Sequence, residues 1–242
     1  MAYYELDYPV TAARAAATER AAFIRRTYAH LAGAVLAFVG LEAALFTLVP
    51  QQELSQFLLA AFRNPITILI LFVGFIAVGY VARIWAHGST SPAMQYLGLA
   101  LYVVFEAIFF VPILFIATYY VSDPNLIAEA GIMTLCIFGG LTMSVLITGK
   151  DFSFLGPILC MAGWLVMGVI IAAIFFPIGL GLGFSFLMVA IAAGYILYDT
   201  SNILHHYRTD QHVGAALELF ASLALLFYYI LRILIALSSN RD

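Results

Sequence analysis

Seven long apolar runs occupy most of this 242-residue chain, and they constrain its fold more than any other feature. A helix that crosses a bilayer needs about 20 apolar residues, and each run supplies them. In lipid, backbone polar groups find partners only within a helix or a closed barrel, and these runs are too long and too uniformly apolar for barrel strands. We therefore predict an all-α integral membrane protein with seven transmembrane helices, at about residues 27–49, 65–84, 93–121, 127–148, 152–176, 179–204 and 213–237.

The composition leaves little room for anything besides a membrane domain. Hydrophobic residues make up 64% of the chain and charged residues 10%, whereas a soluble domain is about half apolar and a quarter charged. We divide the chain into a polar N-terminal lead, residues 1–26, and a seven-helix transmembrane domain, residues 27–242. Residues 11–26 of the lead are rich in alanine and arginine and are expected to form a helix in the cytoplasm or along the headgroups. The lead is expected to be solvated rather than a partner-binding tail. A net charge of −3 without a basic tract argues against nucleic-acid binding, and no pattern predicts a cofactor.

The positions of lysine and arginine in the short loops predict how the chain is oriented in the membrane. With the N-terminus in the cytoplasm, Arg63 and Arg241 fall on the outer side. The predicted cytoplasmic segments hold the larger set, which consists of Arg14, Arg20, Arg25, Arg26, Arg83, Lys150 and Arg208. We therefore expect a cytoplasmic N-terminus, and a C-terminus on the outer side unless the last segment is re-entrant.

Ionisable side chains inside the predicted spans are the strongest indication of a functional site. Such groups are costly in hydrocarbon unless they are neutralised, paired or reached by water. The set consists of Glu42, Glu106, Asp199, Glu218 and Arg232. Each acid could serve a function, or could be a protonated carboxyl that hydrogen-bonds to a neighbouring helix. We favour the second interpretation for Glu42 and leave both open for Glu106.

Two polar stripes are predicted to meet where the sixth and seventh spans form a hairpin. The stripe on the sixth span consists of Tyr195, Asp199, Asn202 and His206. The stripe on the seventh consists of Glu218, Ser222, Leu225, Tyr229 and Arg232. Counting from the turn, Asp199 lies level with residues 218–222, which could bring it close to Glu218. Two carboxyls held close in an apolar setting titrate as a unit, and could sense pH, take up a proton or transiently bind calcium.

Catalytic and metal-binding interpretations find little support in the sequence. Lys150 lies in a loop, which excludes a retinal Schiff base in the last helix. Gly183 of a Gly-x-Gly motif is followed by Phe184 instead of the aspartate of an intramembrane aspartyl protease. The hairpin histidines are expected to be exposed loop residues rather than metal ligands; they are His205, His206 and His212. We predict no catalytic residue and no firm metal site.

Four short motifs occur in order along the chain. They are Arg26-Thr27-Tyr28, Lys150-Asp151-Phe152-Ser153-Phe154-Leu155-Gly156, Tyr198-Asp199-Thr200-Ser201-Asn202-Ile203 and Leu231-Arg232-Ile233-Leu234. Together they resemble the Bax inhibitor (transmembrane BAX inhibitor motif) family, over essentially the whole chain after about residue 20. The likeness is greatest to the bacterial YccA branch. It implies a seven-helix fold with a central last helix, in the bacterial inner (cytoplasmic) membrane.

The resemblance also implies two alternative functions. The YccA branch interacts with and restrains the membrane AAA protease FtsH, so our first hypothesis is a regulator of FtsH-type proteolysis that the protease engages through the N-terminal lead. Another branch is a pH-sensitive calcium leak with an aspartate dyad between the last two helices. Asp199 matches the first dyad member, but the second falls on Ser222, as in the YccA branch. Glu218, one turn earlier, could replace the missing acid. A third interpretation is that the buried acids only pin helix packing.

Overall fold

The computed structural model describes residues 10–87 and 91–239, so Arg241 and residues 1–9 lie outside the described part. Its helices are α1 (Ala17–Leu48), α2 (Gln51–Ala61), α3 (Pro65–His87), α4 (Pro92–Tyr119), α5 (Leu126–Thr148), α6 (Leu155–Phe175), α7 (Leu182–His205) and α8 (His212–Ser238). Seven of them are long and apolar enough to cross a membrane, and α2 is the exception. Within the described ranges, extended pairing is confined to an isolated bridge between Thr11 and Arg208. The predicted all-α fold with seven spans is confirmed.

The helix predicted in the lead and the first span form one continuous helix, α1. It starts at Ala17 rather than near residue 27, since the lead is rich in alanine and arginine, which favour helix, and has no breaker before the apolar run. Phe23 is 1% exposed, and Ala12, which precedes the helix, is fully buried. The amide of Ala12 also donates to the carbonyl of Tyr207 at 2.8 Å. The described part of the lead is therefore exposed along most of its length, as expected of a solvated segment, but is anchored on the bundle through Ala12 and Phe23.

The short helix α2 occupies a connection for which the sequence patterns predict no helix. Pro50 precedes its first residue, and Leu54 and Leu58 recur at helical spacing. Leu54 packs against Val111 and Phe115 of α4 in a small second core. We call the end of the bundle that carries α2 the α2 end, and the opposite end, with the α7–α8 loop at residues 206–211, the hairpin end.

The last helix lies at the centre of the bundle. It packs against α1, α3, α4, α5 and α7. Leu217 and Leu219 point to opposite sides of α8, yet each is 0% exposed. By contrast, α6 buries little besides Leu159 and presents its remaining surface outward, as expected of a lipid-facing helix. The predicted central position of the last helix is confirmed.

Helices α3 and α4 approach each other closely at a glycine. A Cβ atom built on Gly98 would lie 2.6 Å from the carbonyl oxygen of Ala82 and 2.7 Å from the amide nitrogen of Ala86. Small residues permit such close approach of helix backbones in lipid, where dispersion contacts drive association. This contact sets the position of the last turns of α3, which carry two side chains of the candidate site.

Candidate functional site

An ion pair joins α3 to α8 near the hairpin end. The Nε atom of Arg83 donates to both carboxylate oxygens of Glu218, at 3.1 and 3.0 Å. The guanidinium also lies over the ring of Tyr102, with its carbon 5.4 Å from the ring centroid. A Cβ built on Gly79, one turn before Arg83, would lie 3.7 Å from the Tyr102 ring and 3.9 Å from the Arg83 guanidinium, which is ordinary van der Waals contact. Glu218 therefore has a full cationic partner.

Arg83 is the site residue that the sequence analysis missed. The sequence counts it among the cytoplasmic charges near the end of the second span, whereas α3 continues past it to His87 and Arg83 forms an ion pair with Glu218. A signal was available: Arg83 and His87 stand four residues apart, on one face of a helix that is otherwise apolar. A cation on such a face is expected to find a buried acid on a neighbouring helix.

His87 connects the ion pair to the hairpin loop. Its Nδ1 lies 3.0 Å from the carbonyl oxygen of Arg83, and its Nε2 lies 3.1 Å from the hydroxyl of Tyr207. The same Nε2 is 3.9 Å from a carboxylate oxygen of Glu218. Burial, and then the negative charge of Glu218, raises the pKa of Tyr207 above its usual value. Tyr207 therefore stays a neutral phenol that can share its proton with His87.

Asp199 and Ser222 meet between α7 and α8. The hydroxyl of Ser222 donates to Oδ2 of Asp199. Asp199 is 9% exposed and Ser222 is 5% exposed, so this bond is shielded from the surroundings. Within residues 10–87 and 91–239, the ion pairs do not include Asp199. The structure thus brings together the two positions that match the family dyad.

The two acids of the hairpin have different direct partners but share one electrostatic environment. Glu218 binds Arg83, and Asp199 accepts from Ser222. Asp199 nevertheless lies within electrostatic range of both Glu218 and Arg83. We call the set formed by Arg83, His87, Asp199, Tyr207, Glu218 and Ser222 the polar cluster. That Glu218 replaces the missing dyad acid stays a prediction.

Glu106 lies beside the polar cluster, deeper in the bundle. It is 6% exposed and lies within electrostatic range of Arg83 and Tyr102. Its Oε2 atom is buried with no hydrogen-bond partner among the described residues. One guanidinium compensates one carboxylate, so the remaining carboxyls of this apolar region must hold protons, accept hydrogen bonds or attract a cation.

Two other predicted site residues lie away from the polar cluster. Glu42 sits near the α2 end, six residues before the end of α1 at Leu48, and neither of its buried carboxyl oxygens finds a partner in the described part. Arg232 follows Ser222 by ten residues on α8, which separates them by about 15 Å along the helix axis. Its Nη2 donates to the carbonyl of Leu180. Shared helical spacing on α8 therefore does not bring Arg232 to Asp199.

A cavity of about 390 Å³ opens at the hairpin end above the polar cluster. Its lining includes Tyr198, Asn202 and His206 of the α7 terminus together with His87 and Tyr207. The other two hairpin histidines have separate contacts: the Nδ1 of His205 lies 2.9 Å from the carbonyl of Ser201, and His212 lies with its ring centroid 5.0 Å from that of His30. In the described ranges, no group of three or more metal-ligating side chains converges.

Two of the motifs that carry the family resemblance touch each other. The amide of Phe152 donates to the hydroxyl of Ser201 at 2.8 Å, and that hydroxyl donates to Asp151 at 3.2 Å. Asp151 also accepts from the amide of Ser153 at 2.8 Å, a bond that lowers the pKa of its carboxyl. The α5–α6 loop is thereby anchored on α7 close to Asp199.

Comparison with known proteins agrees with this architecture. The family model described as "Inhibitor of apoptosis-promoting Bax1" matches residues 20–240. An uncharacterized protein of Pseudomonas aeruginosa is 32% identical over 95% of this chain and 96% of its own. Protein lifeguard 4 of Mus musculus is 28% identical over 98% of this chain and 94% of its own. A Golgi anti-apoptotic protein of Vaccinia virus is 26% identical over 95% of this chain and 92% of its own. With the match spanning nearly all of the bundle, this chain belongs to the Bax inhibitor family.

Proposed function

We propose that this chain is a regulatory membrane protein that acts as a pH-sensitive cation leak, with the polar cluster as its gate. The observation that carries the proposal is the Arg83–Glu218 pair beside the Asp199–Ser222 bond. Arg83 compensates Glu218, which leaves the buried Asp199 to hold a proton or to attract a cation. A cation such as calcium would then be held transiently by Asp199 and Glu218, with Glu218 in the role of the missing dyad acid.

The route to the gate is proposed to run from the cavity at the hairpin end. Tyr207 lines that cavity and hydrogen-bonds to His87, so it lies between the opening and the ion pair. A deprotonated Asp199 attracts a cation and a protonated one does not. We therefore expect flux to rise with pH. No catalytic step is part of this proposal.

Calcium flux into liposomes tests the leak. Vesicles that contain the purified chain should take up calcium faster at pH 8 than at pH 6, and Asp199→Asn should flatten that pH dependence. Glu42→Gln is the matched control, because Glu42 is also a buried carboxyl but lies near the opposite end of the bundle. Equal flux in empty and protein-bearing vesicles would refute the leak. If the acids only pin packing, Asp199→Asn will change stability without changing flux.

Regulation of FtsH-type proteolysis is the second candidate function. The resemblance to the YccA branch suggests it, and a specific surface favours a protein partner: Arg14, Arg25 and Arg26 are exposed around the start of α1. In a pull-down from solubilised bacterial membranes, FtsH should co-purify with the chain and less so with the Arg25→Ser, Arg26→Ser variant. Arg63→Gln, an exposed arginine at the α2 end, serves as the control. If FtsH is absent from the pull-down under conditions that recover a known FtsH substrate, this second function is refuted.

We further propose a location in the bacterial inner membrane with a cytoplasmic N-terminus. Arg83 no longer counts toward the loop charges, because it is ion-paired inside α3. The bias survives without it, since Lys150 and Arg208 lie at the hairpin end with the lead arginines, whereas Arg63 lies at the α2 end. Single cysteines at positions 150 and 63, in a background without Cys136 and Cys160, should react with an impermeant thiol reagent from opposite sides. Labelling of both from the same side would contradict this orientation.

A further inference from the structure

A second cavity, of about 450 Å³, lies at the α2 end, between α4, α7 and α8. Its walls are mostly apolar, and include Phe62, Ile113, Ile116, Leu182 and Ile235. Two of these side chains remain open to the surroundings of the bundle, Phe62 at 54% and Ile116 at 45% exposure. The cavity is therefore accessible from the lipid-facing surface. It is separate from the polar cluster, which lies near the hairpin end.

Arg232 is the one charged side chain among the described residues that line this cavity. Its Nη2 donates to the carbonyl of Leu180, and its guanidinium lies over the ring of Phe184, 5.9 Å from the centroid. A guanidinium has five N–H donors, so this bond leaves most of them available. In the part of the chain that the structure describes, the ion pairs supply no carboxylate to Arg232. Within the described ranges, the cavity thus combines apolar walls with a positive charge that has no carboxylate partner.

The start of α7 adds to the positive potential of the same cavity. Gly181, the N-cap residue, and Leu182, the first helical residue, both line it. Gly181 has no side chain that could accept from the first amides of the helix, and no side-chain cap is formed. The free amides and the positive end of the helix dipole favour an anion at this point. Charge complementarity therefore calls for an anionic occupant.

The depth of Arg232 indicates what kind of anion this is. Arg232 follows the start of α8 by twenty residues and precedes its end at Ser238 by six, which puts it about 30 Å from one end and about 9 Å from the other. This is the region where headgroups meet acyl chains in a bilayer. An inorganic anion would leave the apolar walls without a partner, whereas an acyl chain would cover them.

We propose that this cavity binds one anionic lipid from the leaflet at the α2 end. The headgroup phosphate accepts hydrogen bonds from Arg232 and from the first amides of α7, and an acyl chain lies along Ile113 and Ile116. The proposal does not depend on the cation leak or on an FtsH partner.

Native mass spectrometry of the purified full chain tests the lipid site. The probes are phosphatidylglycerol and phosphatidylcholine with the same acyl chains, and glycerol phosphate without chains. We expect about a tenfold preference for phosphatidylglycerol over phosphatidylcholine, because both carry the phosphate but the choline cation of phosphatidylcholine cancels the net negative charge that Arg232 attracts, and no retention of glycerol phosphate. Arg232→Gln should abolish the preference, and Arg63→Gln, an exposed arginine at the same end, should keep it.

A cavity-filling variant separates the two parts of the site. Ala236 lines the cavity, so Ala236→Phe should lower binding of phosphatidylglycerol by occupying the acyl-chain space while Arg232 stays in place. Circular dichroism melting identifies any variant that does not fold, and Arg232→Lys, which keeps the charge, then replaces Arg232→Gln with an expected partial loss. Equal binding of both lipids by the unchanged chain, or an unchanged preference in the Arg232 variants, overturns the proposal. Retention of glycerol phosphate alone would show a free-anion site instead of a lipid site.

Discussion

The Arg83–Glu218 pair can be tested by a double-mutant cycle with Arg83→Met and Glu218→Gln. The donor and acceptor atoms are 3.0 Å apart, for which Coulomb's law gives about 1.4 kcal/mol at the dielectric constant of water and about 5.5 kcal/mol at an effective value of 20. The side chains are 42% and 22% exposed, so the upper figure must be discounted. We expect a coupling free energy of about 2 kcal/mol, typical of a hydrogen bond between charged groups.

Reversible unfolding in mixed micelles, followed by circular dichroism while the fraction of denaturing detergent increases, measures this coupling. The single variants should each lower the unfolding free energy, and the double variant should lose less than their sum. Arg83→Met combined with Glu42→Gln is the control cycle, because Glu42 lies near the α2 end and should couple by about zero. A coupling below about 0.5 kcal/mol for the Arg83–Glu218 cycle would show that the pair is as weak as a surface ion pair, and would refute our reasoning about the site.

Three further predictions concern stability. Glu42→Met should raise the unfolding free energy by about 1–2 kcal/mol, because it removes a buried carboxyl without a hydrogen-bond partner in the described part; a lower value in the same micelle assay would contradict this. Gly98→Leu should lower the thermal midpoint, because its Cβ would lie 2.6 Å from the carbonyl oxygen of Ala82 and must push α3 from α4; an unchanged midpoint would show that the helices adjust freely. The backbone bond from Ser153 lowers the pKa of Asp151. The ionised Asp151 carboxyl therefore contributes fully to the free energy of unfolding above about pH 4, and this contribution is lost as pH falls through the lowered pKa. Asp151→Asn should remove this part of the acid sensitivity of unfolding, and equal acid sensitivity of the two proteins would count against it.

The spans could be predicted because their cause is local. A run of about 20 apolar residues has a strong preference for the bilayer core wherever it occurs, and seven helices in the described part of the chain satisfy this condition. The errors fall where local pattern is weak. The helix α1 begins at Ala17, before the predicted start of the span, where Ala12 bonds to the hairpin loop and Phe23 is buried in the bundle. The helix α2 forms because Leu54 finds a neighbour on α4.

The candidate site could be predicted in part. Residue counting along one helical hairpin was enough to match the depth of Asp199 to that of Ser222, since a short turn leaves little freedom in the register of α7 and α8. The same counting could not find Arg83, which reaches Glu218 from α3, a helix 135 residues away in the chain. Which helix stands next to α8, and which of its faces points there, depends on the packing of the entire bundle.

The sequence alone therefore determined the membrane class, the seven spans, the family resemblance and an interior position for Asp199, because each follows from hydrophobicity, length or short motifs. The tertiary structure alone decided the partners of the charged groups. It pairs Glu218 with Arg83, leaves Glu42 without a described partner, and puts Arg232 in a lipid-facing cavity about 15 Å from Ser222 along α8. The physical reason is that the free energy of a charge in lipid depends on what neighbouring helices present to it, and sequence spacing within one helix carries no information about those neighbours.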